Sequence, residues 1–151
     1  MRTYRLERTQ IVPVSPLEAW AFFADPRNLP LITPPSLGLR ITGELPPQMH
    51  PGMLITYRLT PFPFLPVTWV TEITQIDEPR LFVDEQRAGP YRFWHHEHHF
   101  RPVAEGTEAR DVVTYALPFG PLGRPTAGMV GRQLQQIFDF RRRYLEQRFP
   151  R

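Results

Sequence analysis

PTAGMVGRQLQQIFDFRRRYLEQ, residues 125–147, returns its apolar residues with a helical period. Val130, Leu134, Ile137, Phe138 and Leu145 fall at i, i+4, i+7, i+8 and i+15, one broad stripe of a helix running from about Pro125 to Gln147. Such a stripe needs an apolar surface to lie against. The chain before it supplies one, because between Leu37 and Leu117 the period changes from helical to two.

Strands are expected over Leu37–Gly43, Met53–Thr60, Val67–Ile76, Leu81–Arg87, Tyr91–Arg101 and Glu108–Leu117. Turn-forming pieces separate them: residues 46–52, Pro61–Pro66, Glu78-Pro79, Ala88-Gly89-Pro90 and Glu105-Gly106. Connections this short favour hairpins and an antiparallel meander.

Toward the N-terminus, residues 3–12 alternate, with Tyr4, Leu6 and Val12 set against Arg5, Glu7 and Thr9, as in a first strand. Ser15-Pro16-Leu17-Glu18 then gives an N-cap, a proline at N1 and a glutamate at N3, which opens a helix carrying Trp20, Phe22, Phe23 and Ala24. It stops near Asp25-Pro26. A second helical turn over Arg27–Ile32 ends at Thr33-Pro34-Pro35, since a residue before proline is pushed out of the α region.

The order is β-α-α-β6-α: an α+β fold with a seven-stranded curved antiparallel sheet around a long C-terminal helix. At 151 residues the chain reads as one domain, 1–151, able to bury roughly 70% of its unfolded surface. No internal repeat or linker interrupts it. One helix cannot fill the concave face of seven strands, so a cavity is expected between them.

Composition excludes several chemistries. There is no cysteine, hence no disulfide, zinc-thiolate site, iron–sulfur cluster or thiol nucleophile. All 18 basic residues are arginine, which removes Schiff-base lysines and P-loop phosphate binding. Ser15 and Ser36 are the two serines, one placed to cap a helix and the other beside prolines, so a Ser-His-Asp triad has no nucleophile. A net charge of +3 is small, and no apolar run reaches the ~20 residues of a membrane span. The N-terminus lacks a signal-peptide pattern, and a cytoplasmic protein is expected.

The most unusual stretch is Trp94-His95-His96-Glu97-His98-His99-Phe100. In a strand, Trp94, His96, His98 and Phe100 face one way and His95, Glu97, His99 and Arg101 the other. Glu97 and Arg101 are costlier to bury, so His96 and His98 are expected inward. The same sorting of neighbouring strands puts Asp84, Gln86, Asp111 and Tyr115 on the concave face with them.

Three readings of this cluster stand open: a hydrogen-bonded network inside an apolar barrel, a polar patch that orients a guest molecule, or catalysis or metal binding. His96 and His98 with Asp84 or Asp111 have the ligand inventory of a facial triad, but the HExxH spacing is absent. Tyr57, Trp69, Phe82, Trp94, Phe100 and Tyr115 would form an apolar wall. Two loops, Pro61–Pro66 and Leu117–Leu122, are apolar for turns and suit a cavity entrance, a membrane-touching lip or a self-contact. Arg141-Arg142-Arg143, with Arg148 and Arg151, is expected to form a solvated face.

The order of elements resembles the helix-grip superfamily that includes START lipid-transfer domains, birch-pollen-allergen proteins and bacterial polyketide cyclases, often called SRPBCC. Its carriers here are Ile11–Trp20 (IVPVSPLEAW), Asp25-Pro26-Arg27-Asn28-Leu29, Phe82–Tyr91, Trp94-His95-His96-Glu97-His98 and Asp111-Val112-Val113-Thr114-Tyr115. More narrowly, it looks like an uncharacterised bacterial branch of polyketide cyclase/dehydrase-like members.

The expected function is binding of a small hydrophobic metabolite or lipid in an interior cavity, through Tyr57, Trp69, Phe82, Asp84, Gln86, Trp94, His96, His98, Asp111 and Tyr115. The alternative is a cyclase/dehydratase-type enzyme using a His–Asp pair as general acid and base. A third class, an interaction domain without a small ligand, would follow if aromatic side chains filled the interior. No cofactor, metal, nucleic-acid partner or stable membrane insertion is expected. A homodimer is possible.

Overall fold

The computed structural model describes residues 1–62 and 64–151. Seven strands, β1 (Tyr4–Val12), β2 (Arg40–Thr42), β3 (Leu54–Phe62), β4 (Leu65–Asp77), β5 (Leu81–Ala88), β6 (Phe93–Val103) and β7 (Gly106–Ala116), join in one antiparallel sheet. Their order is β1-β7-β6-β5-β4-β3-β2, so β2 to β7 form a meander and β1 closes onto β7. Helix α1 (Pro16–Phe23) follows β1, and the long helix α2 (Ala127–Arg148) ends the chain.

Helix α1 starts where its capping residues require: Ser15 Oγ accepts a hydrogen bond from the Glu18 amide at 3.2 Å. It buries Ala19, Trp20 and Phe22. Trp20 meets Phe82 edge-on at 5.6 Å and Phe100 at 5.9 Å, which seals one end of the barrel.

Helix α2 crosses the concave face on its apolar stripe, burying Leu134, Phe138, Arg141 and Leu145. It is tied to β1 by polar contacts, Arg8 Nη1 to Gln135 Oε1 and Arg8 Nη2 to Asp139 Oδ1, both at 2.7 Å. Gln133 Nε2 donates to the Pro61 carbonyl at 3.0 Å and so fixes the helix to β3 as well. The helix therefore bridges the sheet and leaves the middle of the concave face uncovered.

Several boundaries differ from expectation, each for a local reason. The expected strand Leu37–Gly43 shrinks to Arg40–Thr42, because Pro35–Leu37 forms a 3-10 turn closed by Gly38 in the left-handed region at φ 58°. The expected helical turn over Arg27–Ile32 is a 3-10 segment, Pro26–Ile32, since Pro30 inside it lacks the amide that an α-helix would use. Strands β3 and β4 extend into the expected loop Pro61–Pro66, whose Pro63 lies outside the described residues. A further 3-10 segment, Gly120–Thr126, precedes α2 and delays its start to Ala127.

Candidate ligand-binding cavity

Between α2 and the sheet lies a cavity of about 680 Å³. That volume suits a small organic molecule, and its wall is mostly apolar. Tyr57 and Trp69 sit opposite each other on β3 and β4 and stack at 5.8 Å, and Trp94 on β6 meets Trp69 edge-on at 5.1 Å. Leu134, Ile137 and Phe138 supply the helical wall, and Ile55 and Ile73 the floor.

Seven of the ten residues singled out from the sequence line this space: Tyr57, Trp69, Phe82, Asp84, Trp94, His96 and His98. Three stand off it. Gln86 spends its amide on the backbone of Tyr91, donating to its carbonyl at 2.7 Å and accepting from its N–H at 3.0 Å. Tyr115 is buried in the core, stacked on Tyr4 at 5.5 Å. Asp111 lies behind the two histidines, beside a small crevice shared with Arg8, Arg141 and Arg142.

The polar cluster does assemble. Strand register puts His96 opposite Asp84 and His98 opposite Asp111. The hydrogen bonds run diagonally instead: His96 Nε2 donates to Asp111 Oδ1 at 2.8 Å, and His98 Nε2 to Asp84 Oδ2 at 2.5 Å. The two imidazoles stack with centroids 3.7 Å apart, and His98 also stacks on Phe82 at 3.9 Å.

Burial sets the charge states. It pushes the His98 imidazole down from 6.5 to about 4, with His96 adding to the effect against the pull of Asp84 and Asp111. Burial alone would raise both aspartates, but neighbouring His96 and His98 and the Arg141 cation outweigh it. Asp84 is held below the usual carboxylate range, and Asp111 falls to about 2. The carboxylates are thus ionised and the ring Nε2 atoms carry the hydrogens. Tyr57, buried and 3.4 Å from Thr71 Oγ1, is pushed well above the usual phenol range by its burial.

Arg141 belongs to this site, against the expectation of a solvated face. It is buried at 8% exposure, its Nη1 is 3.7 Å from Asp111 Oδ1, and its guanidinium rides 4.7 Å over the Phe138 ring. The signal was available: Arg141 stands seven residues after Leu134, three after Phe138 and four before Leu145, on the apolar stripe itself. Arg143 and Arg148 are exposed, as expected of a basic helix end. Two buried donors, Trp69 Nε1 and Arg141 Nε, have no hydrogen-bond partner among the described residues.

Asp84, His96 and His98 also offer metal-type ligand atoms within 4.8 Å of one another. The face-to-face ring stack argues against that use, because one ion cannot lie in the planes of both imidazoles.

No protein of curated function matches the chain in sequence. Among solved structures, a protein of Thermus thermophilus matches with a TM-score of 0.73 at 19% identity, over 98% of this chain and 97% of the other. A major latex-like protein of Panax ginseng matches at 0.70 and 14% identity, over 99% of both chains. A Mycobacterium smegmatis protein matches at 0.66 and 22% identity, over 93% of this chain and 90% of the other. These likenesses establish the helix-grip fold. The model of the family described as polyketide cyclase / dehydrase and lipid transport matches residues 12–138, and the chain belongs to that family.

Proposed function

We propose that the protein binds a small hydrophobic molecule carrying one polar end. The supporting observation is the cavity of about 680 Å³, whose mostly apolar wall carries a cluster of Asp84, His96, His98 and Arg141. Apolar burial would supply affinity at roughly 25 cal/mol per Å². The polar cluster of Asp84, His96, His98 and Arg141 would fix the orientation of the guest's polar end. Asp111 acts here through its bond to His96 and not by touching the ligand.

Acid–base catalysis by the Asp84–His98 pair is the second reading, favoured by its place on the cavity wall. An imidazole held at about 4 is neutral at pH 7 and a weak base, which is a poor match to proton abstraction near neutrality. Holding a ligand asks only for the hydrogen bonds already present.

Native mass spectrometry of the protein purified from its own source, followed by identification of anything released on denaturation, tests this reading. A bound apolar compound with a carbonyl or hydroxyl group supports it. A homogeneous empty protein that takes up no apolar probe contradicts it.

A further inference from the structure

Phe64, Phe119 and Leu122 are 98%, 80% and 85% exposed. Exposed Leu65 and Met129 join them. Leu65, Phe119, Leu122 and Met129 also line the cavity, so its apolar wall runs without a break onto the outer surface. Phe64 and Phe119 both hold left-handed backbones, at φ 63° and 68°. That conformation is costly for a residue with a Cβ. The rings bury little in return, so the fold alone gives no reason for phenylalanine at either turn.

The turn at Phe119 is nonetheless built firmly. Leu122 N–H donates to the Phe119 carbonyl at 3.1 Å, and Thr126 Oγ1 donates to the Gly123 carbonyl at 2.6 Å. Gly123 packs so close to Pro118 that an added Cβ would meet its carbonyl oxygen at 2.2 Å. The apolar side chains are presented on a fixed support.

Charge around this rim is one-sided. The register pairs Leu59 with Val67, Val70 with Ala88, Phe93 with Ala116 and Tyr4 with Tyr115, which places these strand ends side by side. The segments that form them, residues 1–6, 45–71, 86–96 and 112–138, contain no aspartate or glutamate. They carry exposed Arg92, Arg124 and Arg132. A second copy of this rim would set arginine against arginine, whereas anionic headgroups would complement it.

We propose that this rim docks on an anionic lipid bilayer, Phe64, Phe119 and Leu122 entering the interface and the arginines contacting headgroups. This rests on the cavity being ligand-binding and adds where the ligand is exchanged: over a continuous apolar path between bilayer and interior. Such docking is peripheral, since no helix among the described residues is long and apolar enough to cross a membrane.

Co-sedimentation with phosphatidylglycerol and phosphatidylcholine vesicles tests it. Binding to the anionic vesicles is expected to exceed that to the neutral ones and to weaken with salt. Arg124→Glu/Arg132→Glu is expected to cut anionic binding by about tenfold or more. Phe64→Ser and Phe119→Ser are expected to lower partitioning onto both vesicle types. Phe64→Ser and the arginine pair should keep the wild-type Tm and wild-type affinity for N-phenyl-1-naphthylamine in solution, which reads the cavity separately. Absent vesicle binding, or binding indifferent to all these substitutions, overturns the proposal. So does a dimer in light scattering that Phe119→Ser abolishes, which would assign the rim to a second copy.

Discussion

His98 faces Asp111 across the sheet, yet its Nε2 reaches diagonally to Asp84 at 2.5 Å. His96 makes the mirror choice, opposite Asp84 but bonded to Asp111 at 2.8 Å. The crossing brings the rings into a 3.7 Å stack and gives each carboxylate a hydrogen bond from one histidine, with the other ring's Nδ1 3.4–3.7 Å away. Two buried acids are thereby neutralised by hydrogen bonds and one arginine, with His98 kept uncharged.

That arrangement has a pH signature. Burial lowers His98 from 6.5 to about 4, so below pH 6.5 the unfolded chain binds a proton that the folded one refuses. Stability therefore falls as pH drops from 6.5 to 4. At about 1.4 kcal/mol per pH unit the loss approaches about 3 kcal/mol. Asp111 acts in the same direction at lower pH: its stabilisation is present above the ordinary 3.8 and is lost as pH falls through about 2. Urea unfolding at pH 7, 5.5 and 4 should show the first slope in wild type and a much shallower one in His98→Gln.

Arg141 and Asp111 form a buried charge pair at 3.7 Å. Arg141→Met should leave Asp111 short of a counter-charge and cost about 3 kcal/mol, and Asp111→Leu should strand Arg141 at a similar cost. The double variant should recover a large part of the sum. A double-mutant cycle by chemical denaturation checks this; strictly additive losses would mean that the pair is not coupled.

Ile137 is partly buried, and its side chain lines the cavity. Ile137→Trp should occupy part of the hollow, lowering affinity for an apolar probe by roughly tenfold while leaving Tm unchanged or slightly higher. Trp20→Ala, by contrast, opens the aromatic seal against Phe82 and Phe100 and should cost about 3–5 kcal/mol. Differential scanning calorimetry with probe titration separates the two effects.

Gly106 begins β7 at φ 141°, and a Cβ there would lie 2.3 Å from the Val12 carbonyl oxygen and 2.8 Å from Pro13 Cα. Both obstacles are backbone. Gly106→Ala should therefore destabilise by roughly 2 kcal/mol or more, read as a shift of the urea midpoint.

Periodicity made most of this architecture legible, because a curved sheet and a helix on its concave face leave opposite imprints on apolar spacing. The inward face of β6 followed from the cost of burying Glu97 and Arg101, and His96 and His98 are where that cost places them. Gln86 lay beyond reach: its inward phase is right, but the Gly89–Pro90 turn brings Tyr91's backbone within its grasp. Asp111 shares the correct face yet sits on β7, which α2 covers, so facing inward did not mean facing the hollow. Neighbouring Arg142 and Arg143 suggest a charged surface at Arg141, but its position on the Leu134–Phe138–Leu145 stripe is what buries it. The shortened β2 shows the limit of alternation where Pro34-Pro35 and Gly38 set the backbone first.

Titration with N-phenyl-1-naphthylamine, followed by quenching of Trp69 and Trp94 on the cavity wall, tests internal binding most directly. One saturable site per chain is expected, with tryptophan quenching in wild type and both signals weakened by Ile137→Trp. Probe uptake that is unsaturable, or saturable binding that Ile137→Trp leaves intact, would place the guest elsewhere than between α2 and the sheet.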